Sequence, residues 1–246
     1  MIFDRKFISA QHGRRSPIAP AFRFLFDHAE EDTRARLSFL KDTPQNVAIH
    51  GRRFFDDAAT EFANHTRFKL SDDEQMLFLG EDNAPYDLIL SLFSLHAVND
   101  VSKVLSQLKN KLTEKGMVLS CVFGPQTLNT LRQALAAAEQ EICGNAGARL
   151  YPFAGPAAWV GQMQTGGYAL PVADSEIVTV HYKTLKGMIN DVRMMGEASG
   201  LVQRTRRPLF PKIIARAEEI YKDLAPDPDG LLPADYEIIW MQGFKS

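Results

Sequence analysis

Residues 86–93 read Tyr-Asp-Leu-Ile-Leu-Ser-Leu-Phe and residues 117–123 read Met-Val-Leu-Ser-Cys-Val-Phe, both apolar almost throughout. A strand wetted on one face alternates apolar with polar residues. An unbroken apolar run instead marks a strand covered on both faces, as in a parallel sheet. Between the two runs, residues 99–112 place Val101, Val104, Leu105 and Leu108 at helical spacing. Asp100 stands near the start of that helix, and Gly116 is expected to end it and launch the next strand. Strand, helix and strand in this order fold as a right-handed crossover. The unit commits the chain to an α/β fold, a mostly parallel sheet with helices on both faces.

The same alternation continues along the chain. Helical patterns occupy residues 20–40, 55–64, 126–142, 156–165, 184–198 and 211–224; strand patterns occupy 47–49, 67–70, 169–182 and 237–242. No repeat or long linker interrupts them, so residues 1–246 are expected to form one domain. Its parts are a basic arm and helix over 1–45, a first half over 46–125 and a second half over 126–246. Open α/β sheets bind ligands at the carboxyl ends of their strands. Here those ends are residues 50–53, 71–74, 91–96 and 123–127.

Composition excludes several classes. A net charge of −2 over 246 residues is not the basic surface that nucleic-acid backbones require, so no nucleic-acid partner is expected. No apolar run approaches the ~18 residues of a membrane span, and the N-terminus has no secretory-signal pattern. Cys121 and Cys143 have neither metal-ligand nor redox spacing, and none of the six histidines falls in a zinc-binding pattern. No metal is expected. A reducing, cytoplasmic location fits the cysteine usage.

Seven stretches spread over nearly the whole chain carry a family resemblance. They are Ile2-Phe3-Asp4-Arg5, residues 86–91, Ser94-Leu95-His96-Ala97-Val98-Asn99-Asp100, residues 124–131, residues 167–174, Arg193-Met194-Met195-Gly196-Glu197, and Glu237-Ile238-Ile239-Trp240. Together they resemble one group of S-adenosylmethionine-dependent methyltransferase-fold proteins. The group includes the mitochondrial complex I assembly factor with protein-arginine hydroxylase activity and the biotin-pathway, malonyl-carrier-protein methyltransferase-like proteins. The resemblance implies a Rossmann-like methyltransferase fold with S-adenosylmethionine as cofactor.

Two departures stand out against that group. Its members carry an acidic-x-Gly-x-Gly-x-Gly turn after the first strand, where the backbone lies against the cofactor. Here the stretch is Ala48-Ile49-His50-Gly51-Arg52-Arg53-Phe54, with one glycine, an alanine at the acidic position and three bulky side chains. Second, only residues 50–85 separate Ile49 from Tyr86. Two strands and about three helices need roughly 55 residues. One N-terminal strand–helix unit is therefore expected to be missing. Ser71-Asp72-Asp73-Glu74 then resembles the acidic segment after the third strand, facing the adenine, and the ribose-binding acid after the second strand has no counterpart.

The candidate cofactor-binding residues are Gly51, Asp72, Asp73, Ser91 and Leu92, and the candidate catalytic residue is His96. His96 sits just past a strand's carboxyl end, where a base or substrate contact belongs; a hydrogen-bonded loop histidine is the plainer reading. Asn99 and Asp100 read as helix caps. Arg52 and Arg53 read as a solvated loop or a new anion site. The basic arm and the cluster Arg204, Arg206 and Arg207 read as ordinary surface or as a dock for an acidic protein or acyl-carrier-like partner.

Two functions compete. One is a degenerate or repurposed methyltransferase-like protein acting by binding or assembly, with no cofactor. The other is an active S-adenosylmethionine-dependent methyltransferase working on a small molecule, a carrier-bound acyl chain or a protein side chain.

Overall fold

The computed structural model describes residues 1–14, 18–50, 62 and 64–245. Seven strands form one sheet in the order β3-β2-β1-β4-β5-β7-β6. They are β1 (Asn46–His50), β2 (Asn64–Leu70), β3 (Met76–Phe78), β4 (Tyr86–Leu92), β5 (Leu112–Phe123), β6 (Tyr168–Tyr182) and β7 (Leu232–Lys245). β1 pairs in parallel with β2 and β4, and β4 with β5; β3 and β7 run antiparallel to their neighbours. The two apolar runs are the central strands β4 and β5, as double-sided burial requires.

Among the described residues the helices are α1 (Arg5–Arg14), α2 (Phe24–Leu37), α3 (Val101–Asn110), α4 (Asn129–Cys143), α5 (Pro156–Thr165), α6 (Leu185–Met195) and α7 (Pro211–Leu224). Asp100 caps α3 by accepting from the Lys103 N–H at 2.9 Å. Two apolar layers flank the sheet. Residues of α2, α4, α6 and α7 pack with Trp240 and Tyr236 on one face. Residues of α3 and α5 pack with Phe68, Ile89 and Val118 on the other.

Several boundaries differ from the sequence reading. Gly116 lies inside β5 rather than before it, and a Cβ there would come within 2.7 Å of the Tyr86 carbonyl oxygen. This is the stretch where the β4–β5 register shifts, so the glycine serves a close strand approach. α4 begins at Asn129, because Leu128 takes a left-handed conformation with φ of 52° that breaks the preceding turn. The N-terminal arm is not a solvated leader. Residues 5–14 are helical, with Ile8 and Gln11 buried. The helix expected over 55–64 falls almost wholly outside the described residues, and Asn64 already belongs to β2.

The shortfall between Ile49 and Tyr86 takes a specific form. β3 survives as a three-residue strand in a tight antiparallel hairpin with β2, registered Phe68 to Phe78, and no helix lies between β2 and β4. A hairpin needs only a few linking residues, whereas a parallel crossover needs a dozen or more. The length was saved in the connection.

Cys121 is fully buried in β5 and burial pushes its thiol pKa well up, while Cys143 is partly exposed. Titration of the native protein with an aromatic disulfide reagent is expected to modify one thiol, and titration in denaturant two. Rapid modification of both thiols in the native state would contradict this burial.

Candidate functional site

Three of the stretches that carry the family resemblance lie far apart in sequence and meet at the strand ends. The Asn99 Oδ1 accepts the backbone N–H groups of Ile2 at 2.7 Å and Phe3 at 2.8 Å. Arg5 donates to the Ala97 carbonyl at 3.0 Å. Phe3 bridges Leu201, and the Asp4 N–H donates to the Gly200 carbonyl at 2.8 Å. Arg204 stacks on Phe7 at 3.7 Å and donates to Asp4 at 3.1 Å, so it secures α1 rather than offering a free basic surface. Arg207 likewise donates to the side chain of Asn145.

Under α1 lies a cavity of about 320 Å³ at the carboxyl ends of β1, β2 and β4. Its polar lining includes Arg5, His12, His50, Lys69, His96 and Glu197. His96 Nε2 is 3.1 Å from Glu197 Oε2, and both side chains are buried. The imidazole sits among Phe123, Tyr151 and Phe153, with ring centroids 5.3, 5.8 and 5.6 Å away. Its Nδ1 is buried with no hydrogen-bond partner among the described residues. Burial, then the Glu197 charge, pushes the neighbouring Tyr151 phenol far up, so it stays protonated.

At the end of β1, His50 Nδ1 is 2.8 Å from Ser91 Oγ and its ring stacks on Phe68 at 4.8 Å. Burial, reinforced by the positive charges of Arg5 and His12, lowers its pKa to about 3. His50 is therefore a neutral imidazole at physiological pH. Ser91 is engaged with it, and Leu92 lines the cavity.

The acidic segment needs a correction. It follows β2, which pairs directly with β1, and not the third strand. Asp72 and Asp73 thus stand at the strand where this fold holds a ribose-binding acid, but neither is among the cavity's lining residues. Asp73 pairs with the Ser71 hydroxyl, which holds its pKa below the usual carboxylate range. Glu74 turns inward instead. With a left-handed φ of 64°, it accepts from the Asn99 N–H at 2.6 Å and the Asp100 N–H at 2.8 Å. It clamps the loop that carries His96. Gly51, Arg52, Arg53 and Phe54 lie outside the described residues.

Of the residues singled out in the sequence, His96 and Leu92 line this cavity and Ser91 lies behind it on His50, whereas Arg5, His12, Tyr151 and Glu197 line it without having been singled out as site residues. A signal did exist for two of them. Arg5 and Glu197 belong to stretches quoted for the resemblance, yet nothing in their spacing says that they meet. Chemically, the lining offers a buried histidine–carboxylate pair beside several cationic or donor groups. Among the described residues no cluster of histidine, cysteine and carboxylate could hold a metal ion.

The strand order, with an antiparallel β7 inserted between β5 and β6 and a cavity at the strand ends, is the Rossmann-like methyltransferase fold. BH2331 of Bacillus halodurans, a protein assigned to the methyltransferases, superposes with a TM-score of 0.50 at 13% identity, covering 87% of this chain and 97% of that one. YcgJ of Bacillus subtilis gives 0.50 at 10% identity, covering 89% and 98%. These likenesses show the fold. The chain belongs to the S-adenosylmethionine-dependent methyltransferase superfamily.

Its sequence relatives fall into two named groups. Arginine-hydroxylase NDUFAF5 of Dictyostelium discoideum is 32% identical over 166 residues, 67% of this chain and 38% of that protein. The human NDUFAF5 is 30% identical over 173 residues, 70% and 49% respectively. Malonyl-[acyl-carrier protein] O-methyltransferase of Halorhodospira halophila is 30% identical over 155 residues, 63% and 50%. The chain spans half or less of the length of these three relatives. No family model matches the chain.

Proposed function

We propose that this protein is a repurposed methyltransferase-like protein, one that keeps the fold but uses its strand-end cavity for binding or assembly rather than for S-adenosylmethionine. One observation carries this reading. Among the described residues, the titratable groups that line the cavity are Arg5, His12, His50, Lys69, His96 and Tyr151, with one carboxylate, Glu197, that is already bonded to His96. S-adenosylmethionine brings a carboxylate that a cation can hold, but also a sulfonium and an ammonium group, which call for carboxylates. Among the described lining residues no carboxylate is left to meet them, so this lining does not fit the cofactor. It fits an anionic group better.

Calorimetric titration with S-adenosylmethionine and S-adenosylhomocysteine tests the proposal. Binding is expected to be millimolar or undetectable. Micromolar binding of either would overturn it.

A second reading keeps the enzyme. The acidic segment after β2 and the His96–Glu197 pair, whose Nδ1 is left without a bond, favour an active methyltransferase that removes a proton from its acceptor. The acceptor would be a small molecule, a carrier-bound acyl chain or a protein side chain. In either reading the exposed Arg193 and Arg206 suit an acidic protein or acyl-carrier-like partner. Among the described residues no helix is long and apolar enough to cross a membrane. The two free thiols suit the cytoplasmic location expected from the sequence, although the NDUFAF5 relatives are mitochondrial.

A further inference from the structure

Two further cavities share no lining residue with the strand-end site. The larger, about 440 Å³, is walled by α4, α6 and residues 198–209. The smaller, about 280 Å³, adjoins it through Leu135, Ala148, Arg149 and Leu150. Leu131, Ile189, Val192 and Leu209 make the larger one mainly apolar. Its size falls in the range of small-molecule sites.

The polar groups around these cavities are not alike. Arg149 is satisfied: its guanidinium pairs with the fully buried Glu139 and donates to the Arg207 carbonyl at 3.0 Å. Arg132, in the wall of the smaller cavity, is not. Its Nε and one Nη are buried without any hydrogen-bond partner, and no ion pair holds it among the described residues. Burial lowers its pKa with no carboxylate close enough to oppose the effect. Arg193 and Arg206, both exposed, stand at the wall of the larger cavity and add to the positive potential there. Arg132 is half-buried, and the two nitrogens that have lost water without gaining a partner destabilise the free protein. A ligand anion would replace that water.

We infer that the two adjoining cavities form one site for an anionic amphiphile, an alkyl chain ending in a carboxylate, with the chain along the apolar walls and the head group on Arg132. Charge complementarity selects the anion, and the leucine, isoleucine and valine lining selects the alkyl chain.

The test uses dodecanoate below its micelle concentration, titrated calorimetrically into the full chain, with dodecanol as the uncharged comparison. Dodecanoate is expected to bind at least about tenfold more tightly than dodecanol. Arg132→Met is expected to weaken dodecanoate binding by about tenfold or more while raising the melting temperature of the free protein, since methionine keeps apolar bulk and removes the unpaired charge. Arg132→Gln replaces it if the methionine variant does not fold, and Arg132→Lys is expected to retain part of the affinity. Absence of dodecanoate binding, equal affinity for dodecanol, or unchanged affinity in the Arg132 variants would each overturn the assignment.

Discussion

Glu74→Ala is expected to lower the unfolding free energy by about 3–5 kcal/mol, the range for breaking a buried charged contact from one side. Four groups lose a contact at once, the Asn99 side-chain amide at 3.1 Å among them. The Asn99 and Asp100 N–H groups lose their acceptors at 2.6 and 2.8 Å, and the Arg5 guanidinium, 3.9 Å away, loses its counter-charge. Asn99 in turn holds Ile2 and Phe3, so the loss spreads to α1. Urea unfolding measures the stability, and limited proteolysis reports whether residues 1–14 have come loose. Glu74→Gln keeps an acceptor oxygen and is expected to cost less. A loss below about 1 kcal/mol in the alanine variant would mean that water takes over these contacts.

The second large effect is a pH dependence set by His50. Its pKa is about 3 in the fold and returns to the ordinary value near 6.5 on unfolding. Between those values the unfolded chain takes up a proton that the folded one refuses, so stability falls as pH drops from about 6.5 toward 3. The slope is about 1.4 kcal/mol per pH unit, which gives a loss of about 2 kcal/mol by pH 5. Other groups titrate over the same range, so the comparison is with His50→Gln, which has no proton to gain there. Urea unfolding at pH 7.5 and pH 5.0 is expected to show wild type losing about 2 kcal/mol more than the variant. Equal losses would mean that His50 is not sealed from water in the fold.

Much of the architecture was legible because it rests on local pattern. Double-sided apolar runs marked β4 and β5, and Pro156 and Pro211 opened the helices whose bounds were read most closely. The first strands were harder. β3 has three residues and gains its identity from pairing with β2, which no local periodicity announces. The acidic segment was assigned to the wrong strand for the same reason: its position depends on what β2 pairs with. At the cavity, the positions of Leu92 and His96 follow from their place at a strand's carboxyl end. Those of Glu197 and Arg5 do not. Their roles arise from contacts across about 100 residues of chain, for which composition and spacing carry no signal.

The docking of α1 also bears on how the protein is made. The Asp4 carboxylate meets Arg204 across 200 residues of chain, and Phe3 pairs with Leu201. A growing chain cannot close either contact until that distant segment has left the ribosome, and contacts so far apart in sequence form late. Residues 3 and 4, made about 200 residues ahead of their partners, are thus among the last to find their place. Until then the strand-end cavity lacks its cover, and a nascent chain can pair β1 to β5 before it holds a site.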